Sequence, residues 1–190
     1  MNLFATSACP ELSAQALDDA RVVSQLRETG QLLSTAVRIV APQALPDGRL
    51  YRRGHEAHPV ALWVRRSSQA FQWTLQHGLA LHAEYCLRFP DAPRESFGRC
   101  AEVLHSVLAC HLHSVLPLMP SCPAEGMVNH AANLGMGLDF RPTEDPFLAY
   151  RQYLTARWQL ARGTRAAPRF TRREPAPWAR PYLAGEPAAA

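Results

Sequence analysis

Apolar residues recur at helical spacing in four stretches of the chain, with prolines and glycines between them. In the first, Leu12, Ala16, Val23, Leu26, Leu33 and Val37 step by three, four or seven residues between Pro10-Glu11 and Pro42. That spacing predicts a helix over residues 11–40, with a weak point at Gly30. Its other stripe is polar: Arg21, Ser24, Glu28, Gln31, Thr35 and Arg38 follow at intervals of three or four and share one face. Residues 42–58 carry turn chemistry and predict a loop bearing Arg49, Arg52, Arg53, His55 and His58.

Pro59 suits the first turn of a second helix, continued by Trp63, Phe71, Leu75, Leu79, His82 and Cys86 with a restart at Ser67 and a stop at Pro90. A third, over residues 95–116, is apolar around much of its circumference (Cys100, Val103, Leu104, Val107, Leu108, Leu112, Val115), which predicts deep burial. Residues 119–141 predict an irregular connection. Asp145 and Pro146 open a fourth helix that ends before Gly163 and carries Phe147, Tyr150, Tyr153, Leu154 and Trp158. No strand pattern is long enough to register. The expectation is an all-α protein: a compact domain of about four helices over residues 1–163, and an Arg-, Pro- and Ala-rich tail over 164–190 whose last ten residues are disordered.

Charge adds a second layer. The chain has twenty arginines and no lysine, and its formal charge of +4 arises in residues 141–190, where nine arginines face only Glu144, Asp145, Glu174 and Glu186. Arginine is a fixed cationic fork suited to phosphate, whereas lysine is the side chain that can lose its proton and attack carbon. The composition therefore supports an anionic partner and excludes side-chain amine catalysis. Five cysteines without a Cys-x-x-Cys pair fit a reducing compartment, and no apolar run approaches the ~20 residues of a membrane span. The expected location is the cytoplasm of a bacterial or phage-infected cell.

Three groups of residues could carry chemistry. Between Arg151 and Arg173, seven arginines alternate with Tyr153, Trp158 and Phe170 and no acid intervenes. Phosphate contacts from Arg151, Arg157, Arg162, Arg165, Arg169, Arg172 and Arg173, with stacking on Trp158, would hold a nucleic acid. Arg21, Arg38, Arg52, Arg53, His55 and His58 extend that surface. A solvated helix whose aromatics pack inward would give the same pattern. The second group is the helix-one stripe, where Glu28 lies between Arg21 and Arg38, and Asp18 and Asp19 come earlier; a carboxylate so placed stabilises an oxocarbenium ion or holds a water. Ordinary charge pairing on an exposed face reads identically. The third, Cys110, His111, His113, His105 and Cys122, lacks metal-ligand spacing, so neither a metal nor a cofactor is expected.

Four stretches carry a resemblance: the Met1-Asn2-Leu3-Phe4 start, residues 14–23 with 28–36, residues 58–65, and residues 149–153 with 170–178. Their layout resembles a group of small phage proteins that is in turn similar to the pyrimidine-dimer DNA glycosylases of the endonuclease V type. The resemblance implies an all-helical domain that binds DNA, extrudes a base and attacks the sugar C1′ with the N-terminal α-amine, aided by a helix-one carboxylate. As a class, α-amines titrate near 7.7–8.0, which leaves a neutral fraction at pH 7. Asn2 implies that Met1 is retained. Where the glycosylases place their glutamate this chain has Arg21-Val22-Val23, so Glu28 or Asp19 would substitute. The expected function is a DNA glycosylase or base-excision enzyme acting on damaged or modified pyrimidines in double-stranded DNA, with Met1, Asp19 and Glu28 at its catalytic centre. Two alternatives stay open: a non-catalytic module that binds nucleic acid or protein, and an enzyme of viral DNA base hypermodification.

Overall fold

The computed structural model describes residues 1–44, 48, 50–92, 95–109 and 126–184. Among them the backbone forms seven helices: α1 (Pro10–Gln15), α2 (Asp19–Val40), α3 (Pro59–Val64), α4 (Ser68–Arg88), α5 (Glu95–Ala109), α6 (Pro146–Ala161) and α7 (Arg180–Ala184). One antiparallel pairing accompanies them, β1 (Ala132–Asn133) with β2 (Leu138–Asp139), Ala132 opposite Asp139. The all-α expectation holds, with more and shorter helices than the periodicity implied.

The first expected helix divides at Asp18, and Gly30 does not interrupt it. Asp18 is extended (φ −71°, ψ 165°), and its carboxylate accepts from the N–H groups of Ala20 and Arg21, capping α2. The other carboxylate oxygen accepts from the indole N–H of Trp158 at 2.6 Å, so a partner 140 residues away fixes the cap. Gly30 is instead a place of close approach: a β-carbon there would lie 3.1 Å from Cε2 of Tyr51. The restart at Ser67 is present, its hydroxyl accepting from Ala70 N to cap α4.

α2 packs against α3, α4 and α5, and α4 also packs against α1. Leu17, Val22, Leu26, Leu33, Phe71, Leu81, Leu104 and Leu154 fill the core between them. The burial expected of the third helix holds for Cys100, Val103, Leu104 and Val107 but not for Leu108, which is 46% exposed; Leu112 and Val115 lie outside the described residues. Residues 132–139 form the small hairpin, which turns through Gly137 at φ 69°, where the left-handed backbone favours glycine.

The tail is a folded part of the domain as far as it is described. Trp178 stacks on Trp158 with centroids 5.8 Å apart, the ring of Phe170 meets Trp158 edge-on at 5.6 Å, and Ala179 is fully buried. A buried polar clamp ties it down. Arg88 donates to Glu84, Asp19 and the carbonyls of Leu17 and Gln15. Arg173 pairs with the same Glu84, while Thr171 donates through its N–H and hydroxyl to Asp19. Of the ten residues expected to be disordered, 181–184 belong to α7, and 185–190 lie outside the described residues.

Candidate active site

The chain enters the fold along α2. Leu3, Phe4 and Ala5 are buried, and their apolar burial holds the N-terminal segment in place. Two backbone N–H groups are read by side chains three residues apart on α2. Asn2 N donates to Glu28 Oε2 at 2.6 Å, and Phe4 N donates to Gln25 Oε1 at 3.2 Å. The spacing of three puts both acceptors on one helix face.

The Asn2 side chain is fixed from the opposite side. Its Oδ1 accepts from the Tyr150 hydroxyl at 3.0 Å, and its Nδ2 donates to the carbonyl of His130 at 3.3 Å. Tyr150, fully buried in α6, has its phenol pushed up by burial, so it remains a donor. Asn2, Glu28, His130 and Tyr150 thus come together from the N-terminus, α2, the 126–131 segment and α6.

Two imidazoles border the start of the chain. The rings of His58 and His130 meet edge-on at 4.5 Å. Burial first, then the neighbouring His130 and the N-terminal charge, lowers His58 to about 4. His130 is lowered by burial and then by the same N-terminal charge. His58 Nδ1 accepts from Val60 N at 3.3 Å and caps α3, which places the proton of its neutral ring on Nε2. The ring nitrogens of His130 have no hydrogen-bond partner among the described residues.

The loop that leads to His58 is docked on α2. Thr35 exchanges hydrogen bonds with Gly54, and Arg38 donates to the carbonyls of Tyr51 and Leu50. Arg38, Arg52, Arg53 and Arg99 line a shallow depression of ≈ 500 Å³ with Gly48 and Leu50. Arg52 is exposed, and Arg53 pairs with Glu56. His55 stands exposed on a left-handed backbone at φ 54°. A second depression, ≈ 540 Å³, starts at Pro59 next to His58 and is lined by Leu62, Trp63, Arg65, Arg66 and Val128.

Other residues singled out in the sequence fall elsewhere. Asp19 is in the tail clamp, and Glu28 lies nine positions further along α2, about 13.5 Å along the axis and half a turn around it. Its carboxylate is occupied by Arg88 and Thr171, so α2 does not bring the two candidate acids together. Arg21 pairs with the capping Asp18 at 3.2 Å. Trp158, expected to stack on a base, is 3% exposed and donates to Asp18. Arg151 holds the carbonyl of Thr6, Arg157 the hydroxyl of Tyr153, and Arg162 the carbonyls of Tyr182 and Leu183. Arg173 is in the clamp; Arg165, Arg169 and Arg172 are exposed. Arg162 and Arg173, with Trp158, Phe170 and Trp178, fasten the tail to the domain.

Among the described residues no group of three or more His, Cys, Asp or Glu is arranged to hold a metal; Cys110, His111, His113 and Cys122 lie outside them. Nor is any described helix long and apolar enough to cross a membrane.

Residues 1–93 match the model of a protein family described as pyrimidine dimer DNA glycosylase. This part of the chain resembles the pyrimidine dimer DNA glycosylases. The glycosylase-like stretch contains the N-terminal segment, Glu28 and the loop through His58, whereas His130, Tyr150 and the tail lie beyond it. No curated protein and no solved structure matches the chain. Gln25 and His130 had no signal in the sequence, and Asn2 and Tyr150 fall in stretches that carry the resemblance without a site role of their own; only the path of the chain assembles the four.

Proposed function

We propose that the protein is a DNA glycosylase that removes a damaged or modified pyrimidine from duplex DNA through the α-amine at the start of the chain, with Glu28 as its carboxylate. The observation that carries this reading is the 2.6 Å bond from Asn2 N to Glu28 Oε2, which sets the first residue and an acid in one place. The similarity of residues 1–93 to pyrimidine dimer DNA glycosylases supports it.

The chemistry follows from the groups at hand. The neutral amine attacks C1′, and the C1′–N1 bond breaks with its electron pair going to the base, which takes a proton from solvent. The new ammonium passes a proton to His130. The nitrogen lone pair then expels O4′, which takes that proton back from His130 as the sugar opens, and a cationic Schiff base forms at C1′. Water hydrolyses it and frees the amine. Glu28 supplies fixed negative charge where positive charge develops on the sugar.

Access requires the nucleotide to leave the base stack. The depression lined by Pro59 and Val128 begins one residue after His58 and would offer the extruded base an apolar wall formed by Leu62 and Trp63. Phosphates on either side would meet Arg52, Arg53 and the depression around Arg38 and Arg99. The His58 Nε2–H would be a further donor to the extruded nucleotide.

Borohydride reduction of a mixture of the protein and abasic-site duplex tests the reading. A covalent adduct mapping to the first residue by mass spectrometry is expected, and acetylation of that amine should remove it. Tight duplex binding with no adduct would overturn the enzyme assignment and favour a non-catalytic binding module.

A further inference from the structure

A third concavity is lined in part by Thr6 and Ser7 of the N-terminal segment, and the glycosylase reading does not use it. It measures ≈ 450 Å³, within the range of about 300–1,000 Å³ typical of small-ligand pockets. Leu12 and Ala16 of the first helical turns, with Pro175, Ala176, Pro177 and Trp178 of the tail, give it an apolar body. Four arginines also line it, Arg151, Arg172, Arg173 and Arg180, against one carboxylate, Glu174.

The arginines divide by what already holds them. Arg173 is engaged by Glu84, and Arg151 spends its Nε on the carbonyl of Thr6. Arg180 uses only Nε, on the carbonyl of Pro175, so its terminal nitrogens have no partner among the described residues. Arg172 makes a single long contact, 3.5 Å to the carbonyl of Leu87. It also sits at φ 57°, a backbone state that a residue with a β-carbon rarely adopts and that tends to mark binding sites. A separate observation comes from Thr6, which lines the pocket, is 1% exposed, and has a hydroxyl with no hydrogen-bond partner. A buried hydroxyl left unpaired is unfavourable unless something else satisfies it.

We propose that this pocket binds a nucleotide phosphomonoester, its phosphate held by Arg172 and Arg180 and its body lying on the apolar wall with a polar atom toward the Thr6 hydroxyl. An apolar cleft with two under-used guanidinium groups at its mouth suits a ligand with a flat body and a dianionic end. The choice of a nucleotide over another organic phosphate rests on the DNA reading above. Two sources share this chemistry: a free mononucleotide, and the 5′-phosphate end of a nicked strand.

The test is calorimetric titration of the full chain with thymidine 5′-monophosphate, thymidine, glucose 6-phosphate, and a short single strand carrying either a 5′-phosphate or a 5′-hydroxyl. Thymidine 5′-monophosphate should bind at least about tenfold more tightly than thymidine or glucose 6-phosphate. Arg180→Ala with Arg172→Gly, which also relieves the left-handed backbone, should weaken it about tenfold or more. Thr6→Val should lower affinity while raising the melting temperature, an opposite pair of shifts that a purely structural role would not give. A 5′-phosphorylated strand preferred over both its 5′-hydroxyl counterpart and the free nucleotide identifies the strand end as the source; the reverse order identifies the free nucleotide. No heat of binding up to about 1 mM nucleotide, or equal binding of glucose 6-phosphate, overturns the proposal. Titrations without DNA do not depend on the amine, so a failed borohydride trap and a failed nucleotide titration are separate results.

Discussion

The backbone nitrogen of Asn2 lies 2.6 Å from Oε2 of Glu28, a contact between residues 26 apart in the chain. It places the first residue beside the acid of the α2 polar stripe, which neither caps the helix nor joins the tail clamp. Asp19, on the same helix, faces the other way and holds Arg88 and Thr171. The two acids therefore have distinct roles that substitution can separate.

Glu28→Gln keeps an oxygen that can accept from Asn2 N while removing the charge. Borohydride trapping should fall by about 10²- to 10⁴-fold, the range typical of losing a positioned acid or base, with duplex affinity within about twofold. Undiminished trapping would remove Glu28 from the mechanism.

Arg88→Met should act on stability. It leaves Glu84 short of a partner in the interior and cuts the link between α4, Asp19 and the tail. Removing one member of a buried pair typically costs about 3–5 kcal/mol, which denaturant unfolding would report. Asp19→Asn should also lower stability, yet leave trapping per folded molecule unchanged. A selective loss of trapping in Asp19→Asn would return that residue to the catalytic site.

Acid should destabilise the fold through His77. The ring is fully buried, Nδ1 donates to the carbonyl of Pro10 at 3.0 Å, and Nε2 has no partner. Burial, partly opposed by the Pro10 bond and Glu11, lowers it to about 4 from 6.5. Because the unfolded chain takes up this proton first, full stability is present above pH 6.5 and is lost as pH falls toward 4, by roughly 3 kcal/mol at most. Thermal unfolding of the protein and of His77→Gln across pH 4–7 should show a shallower decline in the variant; parallel curves would assign the acid response elsewhere.

Salt dependence locates the phosphate grip. Arg52→Ala with Arg53→Ala should reduce the slope of log K against log salt by about 0.9 for each lost duplex phosphate contact. Arg162→Ala should leave the slope unchanged, since its guanidinium holds the carbonyls of Tyr182 and Leu183. If Arg162→Ala flattens the slope and the Arg52 and Arg53 changes do not, the duplex lies along the tail.

The sequence by itself determined the helical character of the chain, the starts at Pro59, Ser67 and Asp145, and the polar stripe holding Glu28. Those properties are local: helical periodicity, proline and capping side chains act within a turn or two of backbone. The break between α1 and α2, with Asp18 capping α2, was less legible, because that cap is completed by Trp158 from α6. The roles of the charges were not legible at all. Arg173 and Glu84 are 89 residues apart, and their pairing turns a tail that reads as a free basic end into a fastened part of the domain. His130 and Tyr150 likewise reach Asn2 only through the packing of α6 and the hairpin. Whether a charged or polar side chain is solvated, paired or poised for chemistry depends on which distant groups share its surroundings, and chain folding decides that.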